Sequence, residues 1–202
     1  MKVKFLLIAL MFPVVLMANG LEKNKTETYK VNPNESKVEW DGKKVGGSHN
    51  GEIDIKEGYL ETDGKSIKGG KFEIDMNSIT CLDLTDEGTN QRLVGHLKSD
   101  DFFGTDNHPV SSLVITKAVH KGGNNYEITG DLTIKDITHE IVFPATVQWA
   151  KDKVTAVADM KVDRTNYDIK FRSGKFFDSL GDKLIYDDFT LKVKLVANQN
   201  AL

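Results

Sequence analysis

Only one cysteine, Cys81, occurs in the 202-residue chain, so no internal disulfide holds it together, and its stability has to come from a sheet and its core. Basic residues are not in excess: 27 Lys and Arg against 30 Asp and Glu leave a net charge of −3. That excludes nucleic acid as the main partner, because neutralising phosphates needs a basic face. The five histidines, His49, His96, His108, His120 and His139, form no HxH or HxxxH pair of the kind that seeds zinc sites. A GxSxG elbow is missing, which removes serine hydrolase chemistry. Glycine clusters fall only where hairpins turn, so no phosphate-cradling loop is present. No metal and no cofactor are expected, and Cys81, between Thr80 and Leu82, is read as a buried, unreactive thiol. Nor is there an internal repeat or a domain-splitting linker, so one domain is expected.

Long apolar runs are missing too, except at the start. Lys2 and Lys4 precede the run Phe5 to Met17, which is too short for a comfortable membrane span and ends at the small residue Ala18. This pattern predicts a secretory signal peptide over residues 1–18, with no cysteine after it to carry a lipid anchor. The expected product is exported, periplasmic or secreted, with no stable membrane span after cleavage. A polar leader over residues 19–28 and one domain over residues 29–197 follow.

What the chain does have is period two. Val38 and Trp40, Ile53 and Ile55, Phe72, Ile74 and Met76, Ile128, Leu132 and Ile134, and Phe189 to Leu195 alternate with polar neighbours, and Leu113 and Ile115 with Ser112, Val114 and Thr116. Each run reads as a strand with one apolar and one wet face. Asp41-Gly42, Gly46-Gly47, Asp63-Gly64, Gly69-Gly70, Gly122-Gly123 and Asn124-Asn125 punctuate them as turns. Many amphipathic strands joined by short turns predict an all-β sandwich or barrel. One segment breaks the rhythm: Leu93 and Leu97, four apart, predict a short helix over Asn90 to Lys98, with Asp86 or Thr89 as its cap. Phe176 to Leu184 reads as a second short helix or a loop.

The inward-facing set is Trp40, Ile53, Phe72, Ile74, Leu113, Ile115, Leu132, Phe143, Trp149, Met160, Phe189 and Leu191. A barrel of about eight strands is just wide enough to be filled by side chains or to hold one small ligand, and periodicity does not separate these cases. The stretch GHLKSDDFFGTDNHP, Gly95 to Pro109, reads as a helix-and-turn plug. Leu97, Phe102 and Phe103 face apolar surface, and Ser99, Asp100 and Asp101 tie off the reversal. A different class of function rests on His96 and Asp101 as a base and its orienter acting on a hydrophobic substrate in the same cavity, which requires both groups to face it.

Four blocks resemble the YceI-like family of exported lipid- or polyisoprenoid-binding proteins: YKVNPNESKVEWDGKKVGGSHNGEIDIKEGYL, GHLKSDDFFGTDNHP, GDLTIKDITHEIVFPATV and VDRTNYDIKF. The resemblance runs from Tyr29 to Leu195. It implies an extended antiparallel β-barrel of about eight strands, lipocalin-like, with one or two short helices, around a tunnel for an isoprenoid or fatty chain. Leu97 to Phe103 then matches the cover near the mouth, and Gly130 to Ile134 a Gly-Asp-Leu-Thr strand. His49-Asn50-Gly51 matches a His-x-Gly element. Asp163-Arg164 with Tyr167 and Ile169 matches an Arg-x-x-(aromatic)-x-Ile signature. Here Tyr167-Asp168 stands where Phe-Gly is expected, which removes a glycine's backbone freedom. None of these positions is catalytic by resemblance, so the protein is expected not to be an enzyme. The expected partner is a single isoprenoid or fatty-chain lipid, with Arg164 and His49 as candidates to meet its head group. Pairing of two copies into a homodimer is left open.

Overall fold

The computed structural model describes residues 26–199 except Lys65. The expected signal peptide, and the leader up to residue 25, lie outside the described residues. Among the described residues nine strands form: β1 (Glu27–Val31), β2 (Lys37–Lys44), β3 (Gly47–Thr62), β4 (Ile67–Asp75), β5 (Val110–Gly122), β6 (Asn125–Ile134), β7 (Ile137–Trp149), β8 (Lys153–Asp163) and β9 (Ile185–Gln199). The helix α1 (Glu87–Lys98) links β4 to β5, and 3-10 turns occupy Met76–Ser78, Arg164–Tyr167 and Gly181–Lys183. Among the described residues no helix is long and apolar enough to cross a membrane.

Every strand pairing is antiparallel, and the pairing of β3 with β4 closes the ring β3-β2-β9-β8-β7-β6-β5-β4 into a barrel of eight staves. β1 is the ninth strand but not a ninth stave. It pairs with the ends of β3 and β9 (Tyr29 opposite Leu60 and Gln199), whereas β2 pairs with their other halves (Trp40 opposite Gly51 and Leu191). β1 and β2 therefore lie end to end along one stave. β1 begins at Glu27 and so takes two residues of the expected leader, because Glu27 and Thr28 find partners in Thr62 and Glu61.

Alternation in sequence becomes alternation in burial, most cleanly on β6, where Tyr126, Ile128, Gly130, Leu132 and Ile134 are buried and the residues between them are not. The end of the barrel formed by β1, the β7–β8 turn and the end of β9 is tightly packed: Val147, Val154, Ala197 and Thr62 are fully buried, and Tyr29 nearly so. At the other end lie α1, the segment 79–86 and the segment 164–184.

α1 starts one turn earlier than expected. Asp86, not Thr89, is the cap, accepting from the Thr89 amide at 2.8 Å and its hydroxyl at 2.6 Å, which secures an additional turn from Glu87. No residue of α1 is buried, so it rests on the surface. The reversal after it is closed by carbonyl oxygens: Phe103 N–H donates to Leu97 O, Thr105 N–H to Lys98 O and Gly104 N–H to Ser99 O. Phe176 to Leu184 is loop apart from the single 3-10 turn at Gly181–Lys183.

The signature segment shows what Tyr167-Asp168 does in place of Phe-Gly. Asp168 itself takes the left-handed conformation, with φ 59° and ψ 24°, so the turn is kept by a residue type that tolerates it. Tyr167 is almost completely buried, and its hydroxyl has no hydrogen-bond partner among the described residues. Burial, helped by the charge of Asp163, pushes that hydroxyl up to about 12. A buried unpaired hydroxyl costs about 1–3 kcal/mol. Tyr167→Phe is therefore expected to raise stability by roughly 1 kcal/mol in a denaturant titration; a loss of stability there would mean that the hydroxyl is satisfied.

Candidate ligand-binding cavity

The middle of the barrel is hollow. Trp40, Leu113, Ile115, Phe189, Leu191 and Val193 face inward from well-paired strands and are still only partly buried, because they border a cavity of about 240 Å³. The missing side-chain volume has a local cause. Inward positions of β7 and β8 carry Ala145, Ala156 and Ala158, and Ala145 lies directly opposite Ala158. Three alanines grouped on adjacent staves leave space where larger residues would meet in a filled core.

Of the residues expected at the site, Trp40, Ile53, Phe72, Ile74, Leu97, Phe102, Phe103, Leu113, Ile115, Leu132, Phe143, Met160, Arg164 and Phe189 all line the cavity. Two do not. Trp149 lies beyond the packed floor and meets Tyr29 edge-on, with ring centroids 6.4 Å apart. His49 turns to Asp83, with Nδ1 2.8 Å from Oδ2. The segment 79–86 explains this: it runs against β3, and the Thr80 carbonyl sits 1.8 Å from where a Cβ on Gly51 would be. That contact is why position 51 needs glycine.

Polar lining residues are confined to one end. Lys43, Arg164, Tyr186 and Asp188 sit near the β2–β3 hairpin and the start of β9, Ser111 and Ser112 lie at the start of β5 at the same end of the barrel, and Lys43, Tyr186 and Asp188 are also exposed to solvent. The opposite end is bounded by Leu60, Ile67, Val147 and Leu195. Along β9 the ten residues from Tyr186 to Leu195 span about 30 Å of strand. The void is thus long, apolar through its depth and polar at its mouth.

Arg164 is the one buried cation in this lining. It is 4% exposed, and its guanidinium donates from Nε to Tyr186 O (3.1 Å), from Nη1 to Ile169 O (2.8 Å) and from Nη2 to Ile185 O (3.1 Å). Its carboxylate neighbour is Asp187, at 3.6 Å. Burial pulls the guanidinium's pKa down, while Asp187 and Asp163 oppose that pull; arginine stays charged. Arg164 latches the start of β9 to the signature turn. Phe102 is buried and packs against the rings of His96 (4.9 Å) and Phe171 (5.6 Å), which also meet each other at 4.6 Å, whereas Phe103 is half-buried and meets Phe189 at 6.3 Å. His96 and Asp101 do meet, at 3.0 Å, but neither is part of the cavity wall, so they lack the orientation that a base and its orienter need.

Fold and cavity define a closed, hollow antiparallel β-barrel. The chain belongs to the YceI-like family, whose domain it matches over residues 29–197. It is 30% identical over 89 residues to a UPF0312 protein of Shewanella denitrificans, covering 44% of each chain. It is 27% identical over 120 residues to Protein YceI of Escherichia coli O17:K52:H18, covering 56% of this chain and 60% of the relative. The chain thus spans about half the length of the curated relatives it matches. Among solved structures, Burkholderia cenocepacia BcnA superposes with a TM-score of 0.66 at 22% identity, over 83% of this chain and 99% of its own. A polyisoprenoid binding domain from Saccharophagus degradans, implicated in plant cell wall breakdown, superposes at 0.64 with 14% identity, over 85% and 98%. At such identities the likeness is one of fold.

Proposed function

We propose that this protein is an exported carrier that holds one amphiphile with a long apolar chain, of polyisoprenoid or fatty-acid type, inside the barrel. The observation that carries this reading is the polarity of the cavity: apolar through its depth, with its polar lining residues, Lys43, Ser111, Ser112, Arg164, Tyr186 and Asp188, all at one end. An amphiphile fits one way round, tail toward Val147 and head toward the hairpin. Each buried CH₂ contributes about 0.8 kcal/mol, so ten carbons supply a gross ~8 kcal/mol before the costs of association. A head group carrying phosphate or carboxylate oxygens suits the two Arg164 donors not committed to backbone carbonyls. The polyisoprenoid-binding description of the Saccharophagus domain supports the ligand class, and the basic-then-apolar leader supports export.

The test is a titration of delipidated protein with a fluorescent fatty or isoprenoid probe, followed by competition with chains of increasing length. Saturable one-to-one binding with affinity rising with chain length is expected; no saturable binding, or competition indifferent to length, contradicts the proposal. For export, protein purified from its host is expected to begin at Asn19, and an intact Met1 would count against it. The two phenylalanines are expected to separate. Phe102→Ala removes a buried ring and costs about 3 kcal/mol of stability. Phe103→Ala costs clearly less and speeds probe release. Paired thermal melts and off-rates check this, and a Phe103→Ala protein that melts far lower but releases probe at the wild-type rate would make Phe103 core.

A further inference from the structure

A second set of chemically active side chains lies outside the cavity. His49 at the start of β3 and Cys81 and Asp83 on the following segment bring an imidazole nitrogen, a sulfur and a carboxylate oxygen within 4.8 Å of one another. We propose that these three residues form a binding site for a thiophilic divalent cation of the zinc class. The proposal is independent of what the barrel holds.

Donor identity comes first. Sulfur and imidazole together select zinc or copper over magnesium and calcium, which take oxygen ligands. Three protein donors with the fourth position left to water is a common zinc arrangement. Geometry comes next. With Zn–S near 2.3 Å and Zn–N near 2.0 Å, tetrahedral donors lie about 3.6 Å apart. Here His49 Nδ1 and Asp83 Oδ2 are 2.8 Å apart, and Cys81 Sγ and Asp83 Oδ1 are 3.3 Å apart. Closing the remaining pair around an ion asks for side-chain shifts on the order of 1 Å.

The backbone beneath the donors is fixed. Asn90 of α1 donates its side-chain amide to both Cys81 O (2.8 Å) and Leu84 O (2.9 Å). Leu82 N–H donates to Asn50 O, and Asn50 N–H donates to Asp83 Oδ1 at 2.9 Å. Trp40 Nε1–H holds Thr80 O at 3.0 Å. Such outer contacts place ligands before the ion arrives. A reactive-thiol reading fits poorly. Cys81 faces a carboxylate and not the imidazole, and burial with Asp83 beside it raises the thiol's pKa, the reverse of activation.

The proton balance is simple. Asp83 brings a carboxylate, which accepts from the Asn50 amide and the Cys81 thiol and lies 2.8 Å from His49 Nδ1. Neutral His49 coordinates through Nδ1 and keeps its proton on Nε2. The Cys81 thiol gives its proton to solvent as the S–metal bond forms. A dication therefore meets two anionic ligands, and one proton leaves.

The experiment adds Co²⁺ to tag-free, chelator-washed full-length protein. Saturation at one equivalent is expected, with a thiolate-to-cobalt charge-transfer band that Zn²⁺ displaces and that Cys81→Ser abolishes. Asp83→Asn and His49→Ala are each expected to weaken binding at least tenfold, with circular dichroism confirming the fold. A measurement on the unaltered chain guards against a variant that misfolds: Zn²⁺ is expected to protect Cys81 from a thiol reagent under mild denaturant that exposes it slowly. No charge-transfer band, a band of equal strength in Cys81→Ser, or thiol reactivity unchanged at saturating Zn²⁺ would overturn the proposal.

Discussion

Ala158→Phe is expected to abolish long-chain probe binding while leaving the barrel folded. Ala158 faces the cavity across from Ala145 and next to Ala156, where inward side-chain volume is smallest. In a filled core, placing a phenyl ring at an alanine position forces off-rotamer packing and costs about 1–3 kcal/mol or more. In a hollow barrel the ring enters free space, buries apolar area against Leu191 and Met160, and occupies the path of a bound chain. The melting temperature is therefore expected to stay within a few degrees of wild type, since 1 kcal/mol corresponds to about 2–4 °C for a chain of this size. Probe affinity is expected to fall at least tenfold. A variant that melts more than about 10 °C lower and still binds would mean that the interior is packed and the probe sits elsewhere.

Arg164→Met carries the largest expected loss of stability. Methionine keeps most of the aliphatic volume but leaves the carbonyls of Ile169, Ile185 and Tyr186 without their donor, and leaves Asp187 without its nearest cation. Breaking a buried charged group's contacts on one side costs about 3–5 kcal/mol, or roughly 10 °C in melting temperature. Lys175, 3.8 Å from Asp187, relieves only the carboxylate. Arg164→Lys is expected to recover little, because one ammonium does not reproduce a planar fork spanning three carbonyls. Denaturant titration of both variants measures this; a change below about 1 kcal/mol in Arg164→Met would mean that the latch is not structural.

The sequence and the structure part company at identifiable places. Period two located β2, β3, β4, β5, β6 and β9 because their inward residues are large and their outward ones mainly polar or charged. It says less about β8, where Ala156 and Ala158 face inward and Val157, outward, is half exposed. Those same alanines make the cavity, so the feature that weakens the strand signal is the one that creates the site. His49 shares its strand face with Ile53, and only the return of the 79–86 segment over Gly51 separates it from the void. Trp149 continues the inward series of β7, but the floor closes before it is reached. The meeting of His49 with Cys81 and Asp83 crosses more than thirty positions of sequence, beyond the reach of any local spacing rule. Asp187, the partner of Arg164, was hidden for the same reason.

The most direct test of a barrel built to hold one long-chain amphiphile is mass spectrometry of protein purified from its own host, sprayed first under native and then under denaturing conditions. The expected result is a native mass that exceeds the denatured mass by one lipid, with the same lipid recovered in an organic extract and lost from Ala158→Phe. Equal masses under both conditions, with no lipid in the extract, would contradict it.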